Sequence, residues 1–362
     1  INLIASENAM STPVKQALMT DMAGRYHANF YGGSEQVREL IAHTQSLACD
    51  LFKVKHALVT PLSGNICDLA ALFAFSRSGD KVASMHFNSG GYPLGFQLFE
   101  RTHVPLAVKE NTFEMDVENS AAIIEREEPA YVMLGASYIP FPHPVLEIKA
   151  EATKCGRPLV YDGSHVLGLI GCGEFQSPMS EGADILIGST HKSLYGPQGG
   201  LILTNSDEFL LSLKKYVDID LDFGIGLVDN PHPGRIAGLA MAFEELERDK
   251  TYGKRVINNA KTLAKALHEN GVKMRFSNKG FTQSHQLFFH MTQQEAQMAC
   301  GALGKSGIFI DTVGRLGTAE ATHVGMGANE MALIAEMISR AIKGADVSKE
   351  TKKLAREFYA NL

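Results

Sequence analysis

Tryptophan is absent from the 362-residue chain, cysteine is scarce, and neither an excess of basic residues nor a long apolar run is present. The five cysteines are odd in number and far apart, and no CxxC or Cys/His spacing is typical of a zinc site. We therefore expect reduced thiols, a cytoplasmic location and no metal site. The 34 basic and 40 acidic residues give a net charge of −6 without clustering, which argues against nucleic acid as a partner.

The long uncharged run at residues 129–146 carries Pro140, Pro142 and Pro144 in its second half, so it predicts a strand and a loop and no membrane span. Hydrophobic residues make up 45% of the chain and charged residues 20%, which is typical of a globular protein with a large core. The charge and composition of the chain are thus consistent with a small molecule or another protein chain as the binding partner.

Short apolar strands alternate with helical segments before about Leu213. The predicted strands are Lys81–Met85, Val104–Val108, Tyr131–Gly135, Pro158–Asp162, Ile185–Gly188 and Gly200–Leu203. Helices fit between several of them, for example at Ser120–Arg126 and Val145–Lys154. This alternation predicts an α/β fold with a mostly parallel sheet and helices on both of its faces.

The pattern changes after about Leu213. A loop-rich stretch leads to a helical run from about Arg235 to Asn270. Further strands are predicted at Val272–Phe276, Gln286–Met291 and Ile308–Thr312, and further helices at Gln293–Gly304 and Glu330–Lys343. We expect an N-terminal arm (residues 1–25), a large domain (26–230), and a connecting helix with a small α+β C-terminal domain (231–362).

An aspartate and a lysine stand at the ends of neighbouring strands. Asp162 ends the apolar stretch "PLVYD", and Lys192 lies in "STHKS", on the turn between the next two strands. Ligand sites in open α/β sheets lie beyond the carboxyl ends of the strands, so both side chains are expected at one site. Alone, Asp162 is also typical of a helix or turn cap. Together, the pair matches what pyridoxal 5'-phosphate needs, a lysine for the Schiff base and a carboxylate that keeps the pyridine nitrogen protonated.

The stretch "TPLSGNICDLAALF" offers a seat for the phosphate of this cofactor. Ser63, Gly64 and Asn65 stand at the start of an apolar helix, whose free N–H groups and dipole favour an anion. An ordinary helix cap is the alternative interpretation of the same residues. No Walker-type lysine loop and no spaced-glycine dinucleotide fingerprint follows a strand here.

The chain resembles the serine hydroxymethyltransferase family in motifs that follow the family's order. These are "LIASEN" (residues 3–8), "YGGSE" (31–35), "SGN" (63–65), "YDGSHVLGLI" (161–170), "STHKSLYGPQGGLIL" (189–203) and "GRLGTAEATH" (314–323). The Thr-His-Lys segment followed by Gly-Pro-x-Gly-Gly is highly specific. The resemblance implies a pyridoxal-phosphate-dependent, aspartate-aminotransferase-type fold with a mainly parallel seven-stranded sheet. It also implies a homodimer, or a dimer of dimers, with sites shared across the interface.

The resemblance implies cofactor roles at matching positions. Lys192 would form the Schiff base, Asp162 would pair with the pyridine nitrogen, and His165 would lie beside the cofactor's phenolic oxygen. The remaining residues implied to contact the cofactor are Ser63, Gly64, Asn65, Tyr92, Ser137 and His191.

Substrate roles are implied in the same way. Arg315 would grip the α-carboxylate, for which a guanidinium fork is suited; without the resemblance it would be interpreted as a surface arginine. Tyr31 of the partner subunit would lie at the substrate, and Ser6, Glu7 and Tyr26 would lie near it. The predicted catalytic residues are Lys192, Asp162, His165, Glu7 and Tyr31.

The chain departs from the family where folate would bind. Tyr92 stands where the family has a histidine stacked on the cofactor ring, and Ala28, or a gap, stands where it has a glutamate that positions folate. Gln198 replaces an arginine, and the loop before the carboxylate arginine is shortened to "IFIDTVGRLG". His27 and Glu35 are near the lost glutamate without clearly replacing it. These losses argue against tetrahydrofolate as a cofactor.

The predicted reaction makes or breaks the Cα–Cβ bond of β-hydroxy-α-amino acids, with glycine as the amino-acid partner and an aldehyde or one-carbon acceptor as the other. Tyr31, Glu7, His27 or a water would assist as general base. The alternatives are a tetrahydrofolate-dependent glycine hydroxymethyltransferase, another pyridoxal reaction such as transamination or racemisation, and a non-catalytic binding protein.

Overall fold

The structure is a computed structural model that describes residues 1–27, 31–219 and 224–360. Within these ranges the strands are β1 His56–Leu58, β2 Lys81–Met85, β3 Thr102–Leu106, β4 Tyr131–Gly135, β5 Leu159–Asp162, β6 Ile185–Ser189, β7 Gly200–Thr204, β8 Gln286–Phe288 and β9 Arg315–Gly317. The α-helices are α1 Thr12–Leu18, α2 Ser34–Phe52, α3 Gly64–Phe75, α4 Val117–Glu127, α5 Val145–Lys154, α6 Leu167–Gly171, α7 Asp207–Val217, α8 Pro233–Arg248, α9 Thr251–Glu269, α10 Gln293–Lys305, α11 Ala319–His323, α12 Ala328–Ile342 and α13 Ser348–Tyr359. None of the described helices is long and apolar enough to cross a membrane.

The central sheet has seven strands in the order β1-β7-β6-β5-β4-β2-β3. Strands β2 to β6 run parallel to their neighbours in this group, and β7 runs antiparallel to both β6 and β1. The prediction of a mainly parallel seven-stranded sheet within an α/β fold is confirmed.

Helices cover both faces of this sheet because its strands are apolar on both sides. On β4, Tyr131 and Met133 belong to one apolar cluster, whereas Val132 and Leu134 belong to another, together with Ile148 of α5. Successive side chains of a strand point to opposite faces, so each strand supplies both layers. A sheet buried in this way presents its polar chemistry at the strand ends.

The C-terminal part has its own apolar cluster, to which α9, α10, α12 and the short sheet β8-β9 contribute. Ile1 and Leu3 pack into it, and the backbone N–H of Leu3 donates to the carbonyl of Phe309 at 2.8 Å. Leu3 in turn accepts a hydrogen bond from the N–H of Gly317, next to Arg315. The N-terminal segment is thereby fixed beside the strand that carries Arg315, while the predicted division at residue 230 stays a prediction.

Several predicted elements differ from the structure. The helical run from Arg235 to Asn270 is two helices, α8 and α9, and the Asp249 carboxylate at the break accepts a hydrogen bond from the Thr251 hydroxyl at 2.6 Å. The predicted strands Val272–Phe276 and Ile308–Thr312 are wrong, because each contributes one isolated bridge only. Phe276 has a φ of 61°, which ends the extended conformation there.

Candidate active site

Lys192 lies on a tightly held loop between β6 and β7. The Thr190 hydroxyl donates to the carbonyl of Pro197 at 2.6 Å, and the side-chain amide of Asn8 donates to the carbonyl of Lys192 at 2.7 Å. Burial lowers the pKa of the Lys192 ammonium, while Asp162 and Asp68 oppose this shift. An amine that loses its proton more readily is a better nucleophile.

Asp162 ends β5 inside the protein, at the same sheet edge. Its Oδ1 accepts a hydrogen bond from the backbone N–H of Ser164 at 2.9 Å. Asp162 pairs with Ile187 of the adjacent strand β6, whose carboxyl end leads into the loop of Lys192, and it opposes the lowering of the lysine pKa. The structure therefore places both at one site.

The start of α3 forms a cradle at this site. The Ser63 hydroxyl caps the helix by accepting from the N–H of Ile66 at 3.2 Å. A Cβ on Gly64 would lie 2.3 Å from Ser189 Oγ and 3.0 Å from Ser164 Oγ, so a larger residue has no room here. The helix N-terminus thus meets two hydroxyls beside the ends of β5 and β6, an arrangement suited to an anion such as a phosphate.

Tyr92 joins the same helix start, since its hydroxyl donates to Asn65 Oδ1 at 3.1 Å. Burial raises the pKa of Tyr92, and the charge of Asp162 adds to this rise. The phenol is therefore neutral at physiological pH and offers an aromatic face to the site.

Two buried histidines lie beside the lysine. The rings of His165 and His285 stack with centroids 5.9 Å apart and planes 14° apart. Burial lowers the pKa of both, with Lys192 and Arg315 adding to the shift, and the pKa of His285 falls to about 3. Sequence reasoning missed His285; its one signal is a histidine directly before β8. His191, next to Lys192, has its pKa lowered to about 4 by burial and by the lysine.

Arg315 is oriented by groups from two loops, the one after β4 and the one before β9. Its Nε donates to Asp311 Oδ2 at 2.7 Å, and its Nη1 donates to the carbonyl of Ser137 at 2.7 Å. The guanidinium carbon lies 5.0 Å from the centre of the Tyr138 ring. Arg315 is buried, with 8% of its surface exposed. Ser137, predicted to contact the cofactor, holds the arginine through its backbone carbonyl.

The N-terminal segment reaches the site through Ala5, which packs against Gly317 beside His285 and acts on the pKa of His165. Glu7 follows with an exposed side chain, and its Oε2 accepts from Asn2 Nδ2 at 2.8 Å. Ser6 lies between them and is half-buried. These predicted substrate residues are thus on a segment that contacts the site.

Tyr26 and Tyr31 form a separate pair. Their ring centroids are 5.5 Å apart, each is 47% exposed, and the Tyr26 hydroxyl donates to Asp229 Oδ2 at 2.9 Å. Among the described contacts, none joins either tyrosine to Lys192 or Asp162 of the same chain.

The residues that stand at or near the family's folate-binding positions do not cluster in one place among the described residues. His27 lines a different cleft, together with Arg38 and Lys214, and the side chains of Glu35 and Gln198 are exposed. Ala28 lies outside the described residues.

The residues present fit pyridoxal phosphate. Gly64 brings the N-terminus of α3 up against the hydroxyls of Ser189 and Ser164, and the Nδ1 atoms of His165 and His191 are buried without a hydrogen-bond partner among the described residues. With Lys192 and Asp162, these groups supply the amine, the carboxylate and the donors that the cofactor requires.

Comparisons with known proteins point in one direction. The family model described as serine hydroxymethyltransferase matches residues 1–338. The serine hydroxymethyltransferases of Methanopyrus kandleri and Methanocaldococcus jannaschii are each 36% identical to the chain; the matches cover 98% and 99% of the chain and 89% and 90% of those proteins. The solved L-threonine transaldolase from Pseudomonas fluorescens superposes with a TM-score of 0.90 at 26% identity, over 100% of this chain and 87% of that one.

Proposed function

Since the chain belongs to the serine hydroxymethyltransferase family, we propose that it is a pyridoxal-phosphate enzyme that makes or breaks the Cα–Cβ bond of β-hydroxy-α-amino acids. The observation that carries this proposal is that Asp162 and Lys192 lie at the carboxyl ends of the adjacent strands β5 and β6, where Gly64 of α3 meets Ser189 and Ser164. Fold and family support it further, because the superposed transaldolase and the serine hydroxymethyltransferases bear names that describe such chemistry.

Pyridoxal phosphate, when bound, supplies an aldehyde for amine capture and a protonated ring that accepts the electrons of a bond broken at Cα. The chain's residues would hold it as follows. Ser63 and Gly64 offer backbone donors to the phosphate, and Tyr92 offers its aromatic face. Asp162 keeps the proton on the ring nitrogen, and His165, which is neutral, can donate or accept at the phenolic oxygen.

Arg315 would bind the substrate's α-carboxylate. Asp311 and Ser137 hold two of its nitrogens, which fixes the guanidinium plane before the substrate arrives. The β-hydroxyl proton must move to a base as the bond breaks. We assign it to Glu7, whose segment contacts His165, or to the partner's Tyr31.

Reductive trapping tests the cofactor assignment. Borohydride treatment of the coloured wild-type protein is expected to fix the cofactor on the peptide that contains Lys192, as measured by peptide mass spectrometry. Lys192→Ala should lose the visible absorption band. Lys149→Ala is the matched control, because Lys149 is paired with Asp184 at 2.7 Å instead. A wild-type protein that stays colourless with ample cofactor, or a label elsewhere, contradicts the proposal.

We further propose that the reaction does not need tetrahydrofolate. Support comes from the exposed Gln198 and from the short segment before Arg315, which lie where the family's folate residues are expected. The second candidate is folate-dependent hydroxymethyl transfer, which the names of the relatives favour. Glycine release from threonine and from serine, each with and without tetrahydrofolate, separates the two. A strict folate requirement contradicts our preference, and amino transfer to a keto acid would indicate a transaminase.

A cytoplasmic homodimer is part of the proposal. The five cysteines form no disulfide in the structure, in keeping with a reducing compartment. The exposure of the Tyr26–Tyr31 pair is in keeping with a surface that completes the site of a second copy.

A further inference from the structure

A second acid, Asp68, interacts with both Asp162 and Lys192 and has no part in the chemistry described above. It stands on α3, four residues after Gly64, so both positions share one face of the helix. The residue is 2% exposed. Asp68 and Asp162 thus place two carboxyl groups near Lys192, which is half-buried.

The two acids differ in the hydrogen bonds that their carboxyl oxygens accept. Asp162 Oδ1 accepts from the N–H of Ser164, whereas Asp68 Oδ1 is buried and has no hydrogen-bond partner among the described residues. A buried carboxylate that lacks donors is costly, because nothing replaces the water it has lost. An uncharged carboxylic acid avoids most of that cost.

The titratable groups around Asp68 also favour its uncharged, protonated form. The titratable groups that act on it or respond to its charge are Asp162, Lys192, Cys67, Tyr92 and Tyr131. Burial raises the pKa of Asp68 well above its ordinary value, Asp162 adds to the rise, and Lys192 opposes it. Lys192 responds more strongly to Asp162 than to Asp68. When two carboxyls compete for one cation, the weaker partner keeps its proton.

The geometry points to Asp68 as a positioning residue that stays an uncharged carboxylic acid and leaves Asp162 as the single anion opposite Lys192. The consequence concerns the lysine. One carboxylate holds its proton less firmly than two, so a larger fraction of Lys192 is the neutral amine that captures an aldehyde. This role rests on the proposed function, but the protonation of Asp68 can be measured without it.

Infrared spectroscopy of the purified protein at pH 7 tests the protonation directly. The wild type is expected to show the carbonyl band of a protonated carboxylic acid, which shifts when aspartate is ¹³C-labelled and disappears in Asp68→Asn. Asp184→Asn is the matched control, because Asp184 is paired with Lys149 and its removal should leave the band unchanged. Absence of an aspartate-derived band in the wild type overturns the inference, and this result does not depend on the folding of any variant.

The pH dependence of cofactor uptake tests the consequence for Lys192. Asp68→Asn should shift the midpoint of uptake by less than about 0.3 pH unit, because it removes no charge. A downward shift of about one unit or more would mean that Asp68 is charged in the wild type. If wild type takes up no cofactor at all, the proposed function fails, while the infrared band still decides the state of Asp68.

Discussion

At the scale of single residues, Gly64 shows how one missing side chain shapes the site. Its Cα lies so close to Ser189 and Ser164 that a Cβ would overlap the first hydroxyl oxygen. The helix start can approach the ends of β5 and β6 only because no side chain intervenes. The cradle therefore depends on this glycine.

Gly64→Ala should push α3 away from Ser189. We expect cofactor affinity to fall at least about tenfold and the free energy of unfolding to fall by about 1–3 kcal/mol. Equilibrium dialysis and urea unfolding followed by circular dichroism measure both, since the chain has no tryptophan to report by fluorescence. The control is Gly301→Ala, an exposed position in α10 with open space around it, which should gain about 0.5–1 kcal/mol. Unchanged affinity in Gly64→Ala would contradict the cradle.

At the scale of elements, α8 is tied to the loop that precedes α3. Arg235 of α8 is 7% exposed, and its Nη2 donates to the carbonyls of Val59, Thr60 and Pro231 at 2.8, 3.2 and 3.0 Å. These carbonyls belong to loops without a regular hydrogen-bond ladder, so the guanidinium substitutes for one. The position of the α3 N-terminus thus depends on a helix far away in sequence.

Arg235→Leu should leave these carbonyls buried without a donor. We expect a loss of about 2–4 kcal/mol in the free energy of unfolding, measured by urea unfolding. Arg248→Leu, at the exposed end of the same helix, is the control; it removes a surface ion pair with Glu244 and should cost less than about 1 kcal/mol. Equal losses in the two variants would show that the interior hydrogen bonds add nothing.

At the scale of the whole molecule, buried neutral histidines make stability depend on pH. Burial lowers the pKa of His143, His191 and His323 to about 4 and that of His285 to about 3. Between these values and the ordinary pKa of about 6.5, the unfolded chain binds protons that the folded chain does not. Stability from these groups is therefore present above pH 6.5 and is lost as the pH falls towards 4.

The melting temperature, measured by thermal unfolding, should therefore fall as the pH is lowered from 7.5 to 5. His323→Phe keeps a ring against Tyr195, which stacks on His323 at 3.9 Å, and removes one titrating group. The free energy of unfolding of this variant should fall less steeply with decreasing pH than that of the wild type. The difference between the two slopes should be up to about 1.4 kcal/mol per pH unit. A slope identical to that of the wild type would mean that His323 is not held neutral.

Subunit mixing tests whether Tyr31 acts on the partner's site. Lys192→Ala and Tyr31→Phe chains are each expected to be inactive or weak, but random pairing of the two should restore about a quarter of wild-type aldehyde release, because half of the dimers contain one complete site. Lys192→Ala mixed with Arg315→Leu is the control and should restore nothing, since both residues belong to one chain's site. No recovery in the first mixture, with dimers present, contradicts a shared site.

Local sequence was sufficient for the longer elements. Lys81–Met85 and Tyr131–Gly135 are predicted with the bounds that the structure has, because three or four apolar residues between turns are a clear signal. The three-residue strands β1 and β9 were missed, since so few residues carry no periodicity and their pairing partners are far away in the chain. The break at Asp249 and Lys250, between α8 and α9, interrupts a helical run that the apolar pattern predicts as continuous.

The sequence by itself determined the alternating α/β order, the lysine and aspartate at neighbouring strand ends, and the helix start that can face a phosphate. Each of these depends on a few adjacent residues and on the rule that parallel strands end at one edge. Only the tertiary structure decided that Asp68 Oδ1 is buried without a donor among the described residues, that His285 stacks on His165, and that Arg235 supports the loop before α3. Desolvation and hydrogen bonding depend on which distant residues pack around a group, and local sequence patterns do not reveal those residues.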